Sequence, residues 1–129
     1  MQALFWHTNN MPNIENLTVR QKSVELAKLV YMLCRGNDDL AKDYGLKDQL
    51  QRSAVSISSN IAEWADRESQ KELKRYLYIA RWSCSELKTQ LIIAKWLYNI
   101  SDDMYKQVDN MLVEVHKMLN AFIKKINIL

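Results

Sequence analysis

Three features of this sequence predict an all-α chain folded as an antiparallel up-down four-helix bundle. Two glycines and one proline in 129 residues are too few for the tight turns of an all-β protein. A composition of 48% hydrophobic and 26% charged residues suits amphipathic helices. Long stretches also repeat apolar residues at alternating spacings of three and four, the rhythm of helices packed nearly parallel around one core. A mass of 15.2 kDa fits one domain. The expected organisation is a flexible leader over 1–13 and a four-helix bundle domain over 14–129.

The leader shows no periodicity and closes at Pro12. Thr18 is placed to cap a first helix over roughly 18 to 35, with Val19, Leu26, Ala27, Val30 and Leu33 on its apolar side and Gly36 as the stop signal. The polar, glycine-bounded stretch "GNDDLAKDYG" reads as a connection with one irregular turn. A second helix carries Leu46, Leu50, Ala54, Ile57 and Ile61. Ser69-Gln70-Lys71-Glu72 has the form of a capping box, in which the serine accepts from the third helical N–H and the glutamate reaches back to the serine N–H. The third helix therefore starts at Ser69. Its seam is the longest pattern in the chain: Leu73, Leu77, Ala80, Cys84, Leu87, Leu91, Ala94 and Tyr98. A fourth helix follows Ser101, with Asp102 and Asp103 in the first turn where the dipole favours acids, and a seam of Met104, Val108, Met111, Val115, Met118 and Phe122.

With the seam of the third helix fixed, its far side reads Tyr78, Ile79, Trp82, Ile92, Ile93 and Trp96. Such a strip on a helix surface marks a protein contact, and self-association is the expected use, with coverage by other helices of the same subunit as the alternative. One flank of the seam reads Lys74, Arg81, Lys88 and Lys95, a basic residue every seven, joined near its start by Arg67 and Lys71. This row is the candidate contact for successive phosphates of RNA or DNA. Snorkelling over apolar surface, or pairing with acids on a neighbouring helix, is the bland alternative. The net charge of +3 permits a polyanionic partner without demanding one.

Catalysis has little to stand on. His7 lies in the leader and His116 stands alone on the fourth helix, so no histidine pair has metal-ligand spacing. Cys34 and Cys84 lie 50 residues apart without a CxxC motif, as reduced structural thiols do. Glu63, Asp66 and Glu68 sit with Arg67 at a helix junction, where acids gain from the next helix's dipole. No glycine-rich phosphate loop or activated nucleophile is evident, so no enzyme, metal or cofactor is expected. No window reaches the ~18 apolar residues of a membrane span, and no secretory signal opens the chain, which points to the cytoplasm.

The segment "DQLQRSAVSISSNIAEWADRESQKELKRYLYIARWSCSELKTQL" resembles the four-helix bundle proteins encoded by intervening sequences within 23S ribosomal RNA genes, the S23-type family. That family is related to the accessory variability proteins of diversity-generating retroelements. The matching elements are Gln49 to Arg52, "AVSI" at 54–57, "SNIAE" at 59–63, Arg67, Ser69, Glu72, "IA" at 79–80, Ser83 and "EL" at 86–87. The "LTVRQKSVEL" of the first helix fits too, so the similarity covers roughly 14 to 125. The resemblance implies a non-enzymatic bundle assembled as a homopentameric ring, with a basic surface for nucleic acid and, among retroelement relatives, a reverse transcriptase and its RNA as partners. Trp64 and Trp82 depart from the family pattern, since both stand where it usually has glycine. Translation of the gene in the wrong genetic code, with a glycine-reading stop codon rendered as tryptophan, would give the same pattern, and an intact mass decides between the two.

Overall fold

The computed structural model describes residues 14–66 and 70–128, and within them the side chains of residues 17–66 and 74–127. In chain order the helices are α1 (Ile14–Arg35), α2 (Asp38–Lys42), α3 (Tyr44–Asp66), α4 (Gln70–Leu97) and α5 (Asp102–Ile128). The four long helices form a square in which α1 packs on α3, α3 on α4, α4 on α5 and α5 back on α1. Cross-helix contacts set their directions. Arg20 near the start of α1 meets Asp66 at the end of α3, and Tyr98, just past α4, meets Asp43, just before α3. Along α4 and α5, Tyr78 meets Asn127 while Lys88 meets Asp109. Neighbours therefore run antiparallel, as predicted.

Several boundaries differ from the sequence expectation, each for a local reason. α1 begins at Ile14, so Thr18 lies inside the helix and does not cap it. Gly36 ends α1 without a left-handed turn, because no described residue has a positive φ. Its N–H still donates to Met32 O at 2.9 Å, and a Cβ there would come within 3.2 Å of that same oxygen. Such an approach is tighter than usual for a Cβ, so a side chain there would require a shift of a few tenths of an ångström. The connection holds a true short helix. Asn37 caps it by accepting from the Leu40 N–H at 3.0 Å, and Asp38 and Asp39 occupy its first turn. Fully buried Leu40 ties this helix to the end of the bundle. Asp43 Oδ1 then accepts from the Leu46 N–H at 3.1 Å, which starts α3 ahead of Gly45. Ser101 Oγ accepts from the Met104 N–H at 3.2 Å, the expected start of α5. The Ser69 capping box lies outside the described residues.

The core follows the α4 seam closely. Leu77, Ala80, Cys84, Leu87, Leu91 and Ala94 are all 0% exposed, facing Leu50, Ala54, Ile57 and Ile61 of α3 and Leu26, Val30 and Leu33 of α1. Leu46 and Tyr98 are half-buried at the seam ends. On α5 the buried stripe is wider than the predicted seam. Val108, Val115 and Phe122 are buried, but so are Leu112, Leu119 and Ile123, while Met104, Met111 and Met118 are half-buried at its margin. A helix in a square bundle faces two neighbours at once, which demands a stripe of about three positions in seven.

Candidate binding interfaces on α4

Placing the α4 seam in the core aims its other sides at α5 and at water, and the basic row falls on the α5 side. Lys88 Nζ donates to Asp109 Oδ1 at 2.6 Å, and this bond raises the lysine pKa against the opposing effect of desolvation. Lys95 Nζ donates to Asp102 Oδ1 at 2.7 Å and to the Ile100 carbonyl at 2.6 Å. The Asp102 carboxyl is held below its usual range by that bond and by the lysine charge. Arg81 Nη1 donates to Asn120 Oδ1 at 3.4 Å while its guanidinium lies 5.1 Å from the centre of the Tyr78 ring. Lys74 is exposed and carries no ion pair among the described residues. Arg67 lies outside the described residues, and of Lys71 only the backbone is described. The row is thus brought together along one groove, but two of its members already hold acids of α5 or of its first turn.

The apolar side is more open. Trp82 is 61% exposed, Ile92 52%, Ile93 43% and Trp96 84%. Tyr78 and Ile79 are half-buried. Tyr78 packs against the core, stacks on Trp82 with centroids 6.5 Å apart, and accepts from Asn127 Nδ2 at 3.3 Å through its hydroxyl. Leu97, absent from the sequence-based strip, extends it by another exposed apolar residue. Between the two apolar ends lie Ser85, Glu86 and Thr89. Glu86 is exposed and has no hydrogen bond or ion pair among the described residues.

The junction after α3 is built for packing. Trp64 is only 7% exposed, with its ring centroid 4.8 Å from that of Phe122. Asp66 accepts from Arg20 Nη1 at 3.1 Å, and the Arg20 side chain is itself only 6% exposed. Burial lowers the Arg20 pKa, opposed by the charge and hydrogen bond of Asp66. Asn60 Nδ2 donates to the Ser56 carbonyl at 2.8 Å, and the hydroxyls of Ser56 and Ser83 join α3 to α4 at 2.9 Å. Burial pushes the Cys34 thiol up to about 11 and the Cys84 thiol up to about 12. His116 is half-buried, its pKa lowered first by desolvation and then by the charge of Arg81. Among the described residues no three His, Cys, Asp or Glu side chains gather as a metal site.

One surface escaped the sequence reading. Between α1 and α3 runs an open groove of about 510 Å³ whose walls include Val24, Tyr31, Met32 and Val55. All four are exposed, Met32 to 51% and Val24 to 48%. The signal was present in Val24 and Tyr31, seven residues apart and off the core stripe of α1.

Residues 15–121 match the family described as 23S rRNA-intervening sequence protein. A crystal structure of a protein with unknown function from the S23 ribosomal protein family of Bacteroides thetaiotaomicron superposes with a TM-score of 0.75 at 27% identity. The alignment covers 82% of this chain and 98% of that one. No curated protein matches the chain. Among the described residues, no helix is long and apolar enough to cross a membrane.

Proposed function

This chain belongs to the 23S rRNA-intervening sequence protein family, and on that premise we propose that it acts as a non-enzymatic helical scaffold that binds protein, first of all copies of itself, through the outer face of α4. The supporting observation is the exposure of Trp82, Ile92, Ile93 and Trp96 on one side of a helix whose other side is fully buried. Apolar surface of this kind costs about 25 cal/mol for each Å² left in water, which association recovers. Light scattering should read a mass several times 15.2 kDa, five times if the assembly is the pentamer that the resemblance implies. Trp82→Glu together with Trp96→Glu should lower the mass to that of one chain with the helical circular dichroism unchanged. A wild type that is monodisperse at 15.2 kDa at micromolar concentration overturns the proposal.

A second reading, binding to an RNA or DNA backbone, draws on the exposed Lys74 and Arg75 at the start of α4 and the net charge of +3. Affinity should then fall with salt by roughly one logarithmic unit per phosphate contacted and differ little between unrelated sequences. Lys74→Gln with Arg81→Gln should flatten that slope more than Lys88→Gln with Lys95→Gln, because the latter pair is already neutralised by Asp109 and Asp102. Filter binding at several salt concentrations reads the difference. No binding at low salt removes the basic row from the function.

A further inference from the structure

We propose that the leader folds back on its own subunit, with Leu4, Phe5 and Trp6 seated in an apolar groove on the α1-facing flank of α5. The groove holds about 350 Å³ and, among the described residues, is lined by Met118, Ala121, Phe122 and Lys125. It lies on another helix from the α4 strip, so this contact stands apart from self-association. Its place in the fold decides what can reach it. Glu114, Met118, Ala121 and Lys125 recur at spacings of four, three and four, which puts them on one face of α5. Glu114 on that face meets Lys22 of α1 at 2.6 Å, so the face is turned to α1. The two helices run antiparallel, and stepping residue for residue from the Lys22–Glu114 pair brings Thr18 level with Met118 and Ile14 level with Phe122. The chain that precedes Ile14 therefore joins the bundle at the level of the groove. Among the described residues every lining side chain comes from α5. A single helix is convex, so the second wall of this concavity comes from the chain beside it, where the leader meets α1.

Composition and reach agree with that occupant. Phe122 is 8% exposed and packs on Trp64, itself 7% exposed, so the groove lies over an aromatic layer at the end of the core. Residues 1–13 contain no Asp, Glu, Lys or Arg, although 26% of the whole chain is charged, and Leu4-Phe5-Trp6 is an unbroken apolar run. A segment suited to remain in water has the opposite composition, charged and poor in aromatics. Seven residues, His7 to Asn13, separate Trp6 from Ile14 and span up to about 23 Å when extended. From Met118 to Lys125 the groove is only about 11 Å long at ~1.5 Å per residue. Asn9, Asn10 and Pro12 favour a reversal within the connecting stretch. Exposed Lys125 offers an aliphatic stem and a cation to the face of an arriving indole. The α1/α3 groove is a poorer seat. It begins at Val24, about 15 Å further along α1, and Lys28 and Arg35 edge it, for which the leader carries no acid.

Reaction of a thiol placed in the groove tests the seat in the whole chain. Ala121→Cys puts a cysteine at an exposed groove position, and Val113→Cys puts one at a 41% exposed position of α5 outside it. Met32→Cys marks the α1/α3 groove. Native Cys34 and Cys84 are buried and should stay silent. Each variant is labelled at pH 8 with and without the pair Phe5→Ser and Trp6→Ser, and peptide mass spectrometry reads the rate at each site. The leader substitutions should speed labelling at 121 at least tenfold and leave 113 and 32 unchanged, at every protein concentration. Equal rates at 121 with either leader, or acceleration at 32 in its place, overturn the proposal. Acceleration at 113 together with 121 reports a general loosening and overturns it too. Protection of 121 that disappears on dilution assigns the leader to a second copy and refutes the seat within one subunit.

Discussion

Replacing Trp64 and Trp82 by glycine should have sharply unequal effects. Trp64 is 7% exposed and packed on Phe122, whereas Trp82 is 61% exposed and touches Tyr78 by stacking. Removing a buried tryptophan side chain costs about 3–5 kcal/mol, and glycine in place of alanine within a helix adds ~1 kcal/mol. Trp64→Gly should therefore cost about 4–6 kcal/mol. For Trp82→Gly the loss is a stacking term of ~0.5–1.5 kcal/mol and a helix-propensity difference of ~0.5 kcal/mol, about 1–2 kcal/mol together. Unfolding entropy of ~2.1 cal/mol/K per residue converts these to drops in Tm of about 15–22 °C and 4–7 °C for a chain of 129 residues. Thermal melts followed by circular dichroism, at a concentration where light scattering reads a monomer, measure both. At higher concentration the Trp82→Gly deficit should change as assembly buries the strip, while the Trp64→Gly deficit should not. Equal shifts in the monomer, or a larger one for Trp82→Gly, would refute the assignment of Trp64 to the core and Trp82 to the surface.

Three further outcomes follow from burial and ionisation. With thiols pushed up to about 11 and about 12, Cys34 and Cys84 should resist a thiol reagent at pH 8 in the folded protein and react fully in denaturant. Fast labelling of the native chain would contradict their burial. Ile57, 0% exposed at the α3/α4 contact, should cost about 2–5 kcal/mol when changed to alanine, read as a lower urea midpoint at unchanged slope. His116 has a folded pKa below its unfolded value of about 6.5, so the unfolded chain takes up the extra proton first. Stability from this group is complete above pH 6.5 and is lost as pH falls toward the folded pKa. Urea titrations at pH 7.5 and 5.5 should show a smaller loss for His116→Gln than for wild type, and an equal loss in both would contradict this linkage.

The fold was legible because helical period and core burial report the same geometry. Every described position of the α4 seam from Leu77 to Ala94 is fully buried. The α5 stripe was read too narrowly, since a strict heptad describes contact with one partner and this helix has two. Helix ends were less legible, because they depend on side chains reaching particular backbone groups: Thr18 looked like a cap and lies inside α1, while Asn37 and Asp43, which do cap, sat within a stretch read as an irregular connection. On the candidate interfaces, the sequence separated the faces of α4 but could not show how far the basic row leans toward α5. That lean brings Lys88 to Asp109 and Lys95 to Asp102, pairings set by the register between two helices. The α1/α3 groove was only half legible, since Val24 and Tyr31 mark its α1 wall in the sequence while Val55 and Ser58 of the other wall are brought opposite them by packing.

The up-down order has a consequence for connectivity. α1 starts beside the end of α3, where Arg20 meets Asp66, and α5 ends beside the start of α4, where Asn127 meets Tyr78. Since α1 and α5 are also neighbours, Ile14 and Ile128 leave the bundle at the same end. A circular permutant that joins these two points through a short glycine-serine linker and opens the chain between Leu97 and Asp102 keeps all four long helices and each pair of neighbours intact. In that permutant the α1–α5 contact becomes a local hairpin and the α4–α5 contact becomes the long-range closure. The same end-to-end geometry gathers anything attached at Ile14 or at Ile128 at one pole, away from the opposite pole where α2 and the Asp43–Tyr98 hydrogen bond lie.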